Sequence, residues 1–109
     1  MKAVQARALI ERENGELIEA TTRTDLRDIR AYERYARRTG LGDMTENKIT
    51  ASSIMVWNAL KRAGLPEAQC TFEEFDDHLI AIEEEAIDIF PTQTSGEISS
   101  PSLSPQELP

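Results

Sequence analysis

The sequence predicts a mainly α domain, with three helices preceded by an N-terminal β-hairpin and followed by a disordered C-terminal tail. Three observations predict this architecture. Apolar residues alternate near the start of the chain, they recur at helical spacing in three later segments, and a proline- and serine-rich stretch follows. The 109 residues are enough for one domain, which we place at 1–90, with the disordered tail at 91–109.

The predicted hairpin has strands at about 3–12 and 16–22. Apolar residues occupy alternate positions between Val4 and Ile10, which is the period of a half-buried strand, although Leu9 breaks the pattern. Ala, Gln, Arg and Glu are also good helix formers, so an amphipathic helix over 2–12 is the alternative.

The register of this hairpin can be predicted from the faces of its strands. A three-residue loop, Glu13-Asn14-Gly15, sets Ile10 opposite Ile18 and Ala8 opposite Ala20, whereas a two-residue loop would set an isoleucine opposite an acid. The longer loop also puts the glycine at a left-handed bulge position, where it has no steric penalty. We therefore expect the three-residue loop.

The first helix is predicted at about 25–39. Thr24 can cap its start, and Asp25 and Asp28 suit the positive end of the helix dipole. Gly40 fits the left-handed position that often follows a helix. One face carries the apolar residues Leu26, Ile29, Tyr32 and Ala36.

The second helix is predicted at about 47–63 and is apolar on more than one side. Its main apolar stripe consists of Ile49, Val56, Trp57, Leu60 and Ala63. Ile54 projects to the opposite side, and Met55 lies between the two. Such a helix is either central to its fold or exposed to a partner.

The third helix is predicted at about 72–89. Thr71 and Glu74 form a capping box, in which each side chain accepts a hydrogen bond from a backbone N–H of the other residue. The apolar stripe that follows consists of Phe72, Phe75, Leu79, Ile82 and Ala86. Ile80 and Ile87 form a smaller patch beside that stripe.

The charge of the chain is strongly polarised. All 12 basic residues lie in 1–62, whereas 11 of the 20 acidic residues lie in 63–109, and the net charge is −8. A surface of this sign repels nucleic acid and anionic membranes. The start of the chain has no apolar signal region, and its one cysteine allows no internal disulfide, so we expect a cytoplasmic protein.

The sequence predicts no catalytic, cofactor or metal site. Cys70 precedes a helix start that favours a thiolate, but it cannot meet His78 across more than two turns of one helix. The acidic residues of the third helix spread over its polar side, as solubility alone requires. The residues expected to face a protein partner are Ile54, Met55, Ile80 and Ile87.

Two motifs resemble a known family. The segment Trp57-Asn58-Ala59-Leu60-Lys61-Arg62-Ala63-Gly64, followed by Thr71-Phe72-Glu73-Glu74-Phe75, is similar to sequences in tail assembly chaperones of long-tailed bacteriophages, especially those of actinobacterial hosts. The segment Asp25–Ala36 adds to the resemblance, which covers about residues 15–85.

The resemblance implies a function. Such chaperones bind the tape measure protein, a long apolar helical chain, and keep it soluble while tail tube subunits assemble around it. The resemblance further implies a longer frameshifted form that contacts the tail tube protein, self-association as an option, residence in the host cell cytoplasm, and absence from the mature virion. It implies no catalytic residues.

Two other function classes remain open. A small helical DNA-binding regulator would use the stripe Arg27, Arg30, Arg34 and Arg37 on the first helix to contact phosphates. A small acidic adaptor or antitoxin-like inhibitor would use its charged surface and its tail. The neighbouring genes discriminate between these classes, because the chaperone hypothesis expects a large tape measure gene downstream.

Overall fold

The structure, a computed structural model, describes residues 2–88. Its elements are β1 (Lys2–Glu11), β2 (Leu17–Thr24), α1 (Leu26–Thr39), α2 (Lys48–Arg62), α3 (Phe72–His78) and β3 (Leu79–Asp88). The three strands form an antiparallel sheet in the order β2-β1-β3. A short 3-10 turn, Pro66–Ala68, connects α2 to α3. The described part of the chain is therefore a mixture of helix and sheet, and the prediction of a mainly α fold is wrong.

The N-terminal hairpin confirms the predicted register. Ala8 pairs with Ala20 and Ile10 pairs with Ile18, as a three-residue loop requires. Gly15 adopts a φ of 87°, the left-handed conformation that glycine adopts without steric penalty. The alternative of a helix over 2–12 is excluded, because these residues form the central strand of the sheet.

The first two helices lie close to where the sequence predicts them. The N-cap of α1 is Asp25 rather than Thr24: Asp25 accepts from the backbone N–H of Arg27 at 2.9 Å, and Asp28 accepts from the N–H of Asp25 at 2.8 Å. Gly40 ends this helix with a φ of 80°, as predicted. Asp25 is the stronger cap because its ionised carboxylate interacts with the helix dipole as well as with the N–H groups.

The third predicted helix is wrong over most of its length. The capping box of Thr71 and Glu74 is present, but α3 ends at His78 and the chain continues directly into β3. β3 pairs with the side of β1 that the hairpin leaves open, and this pairing outweighs the helix propensity of the glutamates and alanines. The predicted tail at 91–109 lies outside the described residues.

The helix α2 separates two clusters of buried side chains. Towards the sheet, Val56 and Leu60 pack on the face of β1 that carries Ala6, Ala8 and Ile10. Towards α1, a second cluster joins the buried residues Tyr32, Ala36, Ala51, Ile54 and Phe72. Helix α2 is therefore central to the fold, which is one of the two roles that its apolar pattern allows.

An ion pair between a buried carboxylate and a partly exposed guanidinium also joins α1 to α2. The carboxylate of Asp28 is fully buried and accepts from Arg62 at 2.7 and 3.2 Å. The side-chain amide of Asn58 donates to the same carboxylate at 2.8 Å. With the backbone N–H of Asp25, these donors satisfy both oxygens, which is the condition for a buried charge to be tolerated.

Candidate functional site

An open groove lies between the N-terminal half of α2 and the strand β3. Its volume is about 460 Å³, and its floor and walls include the isoleucines Ile49, Ile80 and Ile82. The polar lining includes Ser52, the ammonium-bearing Lys48 and two carboxylates, Asp76 and Glu84. An apolar groove bordered by charged groups has the composition of a surface that binds another molecule.

Two of these isoleucines are exposed for identifiable reasons. Ile49 is 85% exposed because it lies in the first turn of α2, on the side turned away from α1. Ile80 is 53% exposed because it is the extra residue of a β-bulge: Ile10 pairs with Leu79 and Leu9 pairs with Ala81. The bulge turns the side chain of Ile80 away from the sheet, while Leu79 and Ala81 on either side of it remain paired with β1.

The groove runs beside a sheet edge. Among residues 2–88, β3 has β1 as its single strand neighbour. A strand in this position presents a row of backbone N–H and C=O groups that can pair with a further chain. Consecutive carboxylates, Glu83, Glu84 and Glu85, line the middle of this edge.

Neighbouring side chains hold two of these carboxylates in place. The guanidinium of Arg7 on β1 donates to Glu83 at 2.6 Å, on the sheet face that points away from the helices. The hydroxyl of Ser52 on α2 donates to Glu84 at 3.2 Å, on the opposite face. The acidic groups therefore flank the edge on both of its faces.

The four residues predicted to face a partner end up in different places. Ile80 is exposed in the groove, as expected. Ile54 is fully buried in the cluster that joins α1 to α2, so the expectation of a partner-facing side chain is wrong. Met55 is half-buried and packs against that same cluster. Ile87 lies in β3 opposite Ala3, and its side chain lies outside the described part of the structure.

Sequence reasoning missed Ile49 as a site residue. Its helical spacing from Val56 and Leu60 predicts a place in the core stripe. In the structure Ile49 is 85% exposed instead. A signal was nevertheless present, because residues in the first turn of a helix often project beyond the element against which the helix packs.

Cys70 and His78 line a second hollow, next to the hairpin loop, with a volume of about 570 Å³. The Sγ of Cys70 donates to the carbonyl of Glu67 at 3.5 Å, and Nδ1 of His78 lies 2.8 Å from the carbonyl oxygen of Glu11. Burial raises the pKa of the Cys70 thiol, and the nearby carboxylate of Glu74 raises it further. The position before α3 therefore does not favour a thiolate, contrary to the expectation from the sequence.

The arginine stripe of α1 borders a cleft of about 530 Å³ against α2. Its cationic lining consists of Arg27, Arg30, Arg34, Lys61 and Arg62. Arg27 pairs with Asp25 at 2.6 Å and Arg62 pairs with Asp28 at 2.7 Å, so two of these charges are partly neutralised within the protein. Arg37 is exposed on α1 but is not part of this lining.

The acidic residues predicted to share one helix are divided between α3 and β3. Glu73 accepts from the hydroxyl of Tyr35 at 2.7 Å, and this hydrogen bond lowers the pKa of the carboxyl.

Within the described residues, no group of three or more His, Cys, Asp or Glu side chains is arranged to hold a metal ion. None of the helices described has both the length and the apolar content that a bilayer span requires.

The groove beside β3 is thus the surface that combines exposed apolar side chains, an open sheet edge and organised charge. Comparison with known proteins identifies no relative whose function could be compared with that of this chain. No family model, no curated protein and no solved structure matches the chain.

Proposed function

We propose that this protein is a phage tail assembly chaperone, which binds the tape measure protein and keeps it soluble while the tail tube assembles. The observation that carries the proposal is the groove in which Ile49 and Ile80 are exposed beside the open edge of β3. The resemblance of residues 15–85 to such chaperones supplies the identity of the client.

The chemistry of the groove suits a long apolar client. Exposed isoleucines contact apolar side chains of the client and remove them from water, with a gain of about 25 cal/mol for each Å² buried. The carboxylates around them keep the chaperone itself soluble, since its net charge of −8 opposes association of its own copies.

The proposal includes no catalytic step and no cofactor. The two side chains of the described region best suited to nucleophilic or acid–base chemistry, Cys70 and His78, are hydrogen-bonded to backbone carbonyls. The raised pKa of the thiol also reduces its fraction of reactive thiolate at neutral pH. We place the protein in the host cell cytoplasm, where the tail assembles.

The test is co-expression with the product of the large downstream gene that the chaperone proposal expects, with the soluble fraction of this client as the readout. We expect the wild-type chain to raise soluble client, and the double substitution Ile49→Asp/Ile80→Asp to abolish most of that gain. Leu17→Asp is the matched control, because Leu17 is 55% exposed on the opposite edge strand, against 53% for Ile80.

The control variant should solubilise the client as well as the wild type does. If the wild-type chain leaves the soluble yield unchanged, the chaperone proposal fails. If Leu17→Asp and the double variant lose activity equally, the groove is not the client site.

The cleft beside α1 favours a second candidate function, that of a DNA-binding regulator. Arg30, Arg34 and Lys61 border this cleft and could contact successive phosphates. A salt-dependent shift of duplex DNA that Arg30→Glu abolishes would support it. The absence of a shift at low salt would remove this candidate, since phosphate contacts are strongest there.

A further inference from the structure

We propose that the edge of β3 binds a segment of the client by strand addition while that segment is extended and not yet helical, and that it selects segments in which lysine or arginine alternates with apolar residues. This inference rests on the proposed function, because it specifies how the groove beside β3 would be used. Strand addition supplies backbone hydrogen bonds for affinity and side-chain pockets for specificity.

The faces of the sheet determine where the side chains of an added strand would lie. On β3, Ile82 and Glu84 pair with Ala8 and Ala6, so they lie on the face towards the helices. Side chains of an added strand alternate between the two faces. Those on the helix side would enter the groove between Ile49 and Ile80, where apolar residues lose the most exposed surface.

The other residues of the added strand would meet acidic groups. On the outer face, Glu83 and Glu85 pair with Arg7 and Gln5 of β1. A cationic side chain next to them on the added strand would form a cross-strand pair, whereas an anionic one would be repelled. Lys48 and Glu84 both line the groove, so the helix side carries charges of both signs and the preference for cations rests on the outer face.

The same charges disfavour a second copy of this chain as the occupant. β3 runs from Leu79 to Asp88, so Glu83, Glu84 and Glu85 lie at its centre. Antiparallel pairing of two β3 strands about that centre would place glutamates opposite or diagonal to glutamates. Like charges in these positions are destabilising, so the acidic edge rejects its own copy and admits a cationic strand.

The experiment measures binding of three labelled ten-residue peptides to the full chain by fluorescence anisotropy. The first alternates valine with lysine, the second alternates valine with glutamate, and the third is the valine–lysine peptide N-methylated at alternate backbone nitrogens. We expect the first to bind, the second not to bind, and the third to bind at least about tenfold more weakly than the first, because it cannot complete the hydrogen-bond ladder.

Two variants test whether the peptide binds at the acidic edge of β3. Glu85→Lys should weaken binding of the valine–lysine peptide about tenfold, a change of about 1.4 kcal/mol. Glu33→Lys, which makes the same charge change at an exposed position on α1, should leave it unchanged. Amide hydrogen exchange should show new protection between Ala81 and Ala86 when the peptide is bound.

Equal binding of the lysine peptide and its N-methylated form would overturn the proposal, since attraction would then be independent of the strand edge. Full protection of every amide between Ala81 and Ala86 in the free chain would overturn it too, because the tail or a second copy would already occupy the edge. If peptide binding follows the expectation while the tape measure protein stays insoluble, the chaperone function fails and the edge assignment stands.

Discussion

The two flanks of α2 differ in how completely they are covered. On the closed flank, which faces α1, Tyr32, Ile54 and Phe72 are buried, and the Asp28–Arg62 ion pair links the two helices. On the open flank, towards the first half of β3, Ile49 is 85% exposed and a groove of about 460 Å³ remains. One helix therefore contributes both to the core and to the candidate binding surface.

The helical period explains this division. Ile49 and Ile54 are five residues apart, and at about 100° per residue they project some 140° from each other. Both are isoleucines with the same transfer free energy, so their chemistry does not decide which of them is buried. What differs is whether a neighbouring element, α1 or the sheet, extends far enough to cover each side chain.

Of the substitutions that test this difference between the flanks, a charge placed in the closed flank should change the free energy of unfolding most. Ile54→Asp puts a carboxylate where no solvent reaches, and we expect the free energy of unfolding to fall by about 4 kcal/mol or more. Urea denaturation followed by circular dichroism measures it. A stably folded Ile54→Asp variant would show that this flank opens readily, and the contrast between the two flanks would then not hold.

A second substitution tests the ion pair in the closed flank. Asp28→Ala leaves Arg62 and Asn58 without their acceptor, and we expect a loss of about 2 kcal/mol, since the partly exposed guanidinium of Arg62 can be hydrated. Asp28→Asn is the matched variant, because it keeps the size of the side chain and one acceptor oxygen and should lose less. Equal destabilisation by the two variants, measured in urea, would mean that the charge contributes little.

The N-cap of α1 should make the stability of the fold depend on pH in the acid range. The side chain of Arg27 hydrogen-bonds to Asp25 and lowers the pKa of this carboxyl from 3.8 to about 2. The stabilisation is therefore complete above about pH 4 and is lost as the pH falls through 2, since protonation then favours the unfolded chain.

Asp25→Ala removes this contribution. We expect it to reduce the free energy of unfolding at pH 7 by about 1 kcal/mol, because the cap is partly exposed to solvent. Thermal melts at pH 7 and pH 2.5 should differ less for the variant than for the wild type. An unchanged difference between the two melts would assign the acid sensitivity to other carboxylates.

The smallest effect on stability is expected in the open flank. Ile80→Asp changes a side chain that is 53% exposed, so the free energy of unfolding should stay within about 0.5 kcal/mol of the wild type. Client binding should fall in the same variant. A large loss of stability would place Ile80 in the core and close the groove as a candidate site.

Local signals in the sequence predicted the hairpin and the first two helices well. The asparagine–glycine turn and the matched faces gave the register of Ile10 with Ile18. The pairing of β1 with β3 could not be predicted in this way, because it joins residues 69 to 86 positions apart. Such contacts depend on which sheet edge remains open once the helices have packed.

The bulge at Ile80 also explains why the sequence of β3 predicts a helix. Leu79 and Ile82 lie on the same face of the sheet, although in a regular strand residues three apart face opposite ways. The extra residue restores their common face, and it produces the spacing that also marks one face of a helix. Residues 79–82 therefore carried a helical pattern while forming a strand.

The candidate site was predicted only in part, for a related reason. Ile80 was identified because it falls outside every core stripe, and the structure exposes it. Ile54 and Ile49 were assigned to the wrong environments, because periodicity shows which residues share a face and not which face is covered. That information comes from the lengths and positions of the neighbouring elements.

The direct junction between α3 and β3 has a consequence for detection. No loop separates His78 from Leu79, so the strand β3 continues directly from the short helix that begins at Phe72. The indole of Trp57 lies 5.9 Å from the Phe72 ring and donates to the Cys70 carbonyl at 3.2 Å. The single tryptophan therefore reports on the packing around α3, and we expect its emission to change if a strand that docks on β3 shifts this helix.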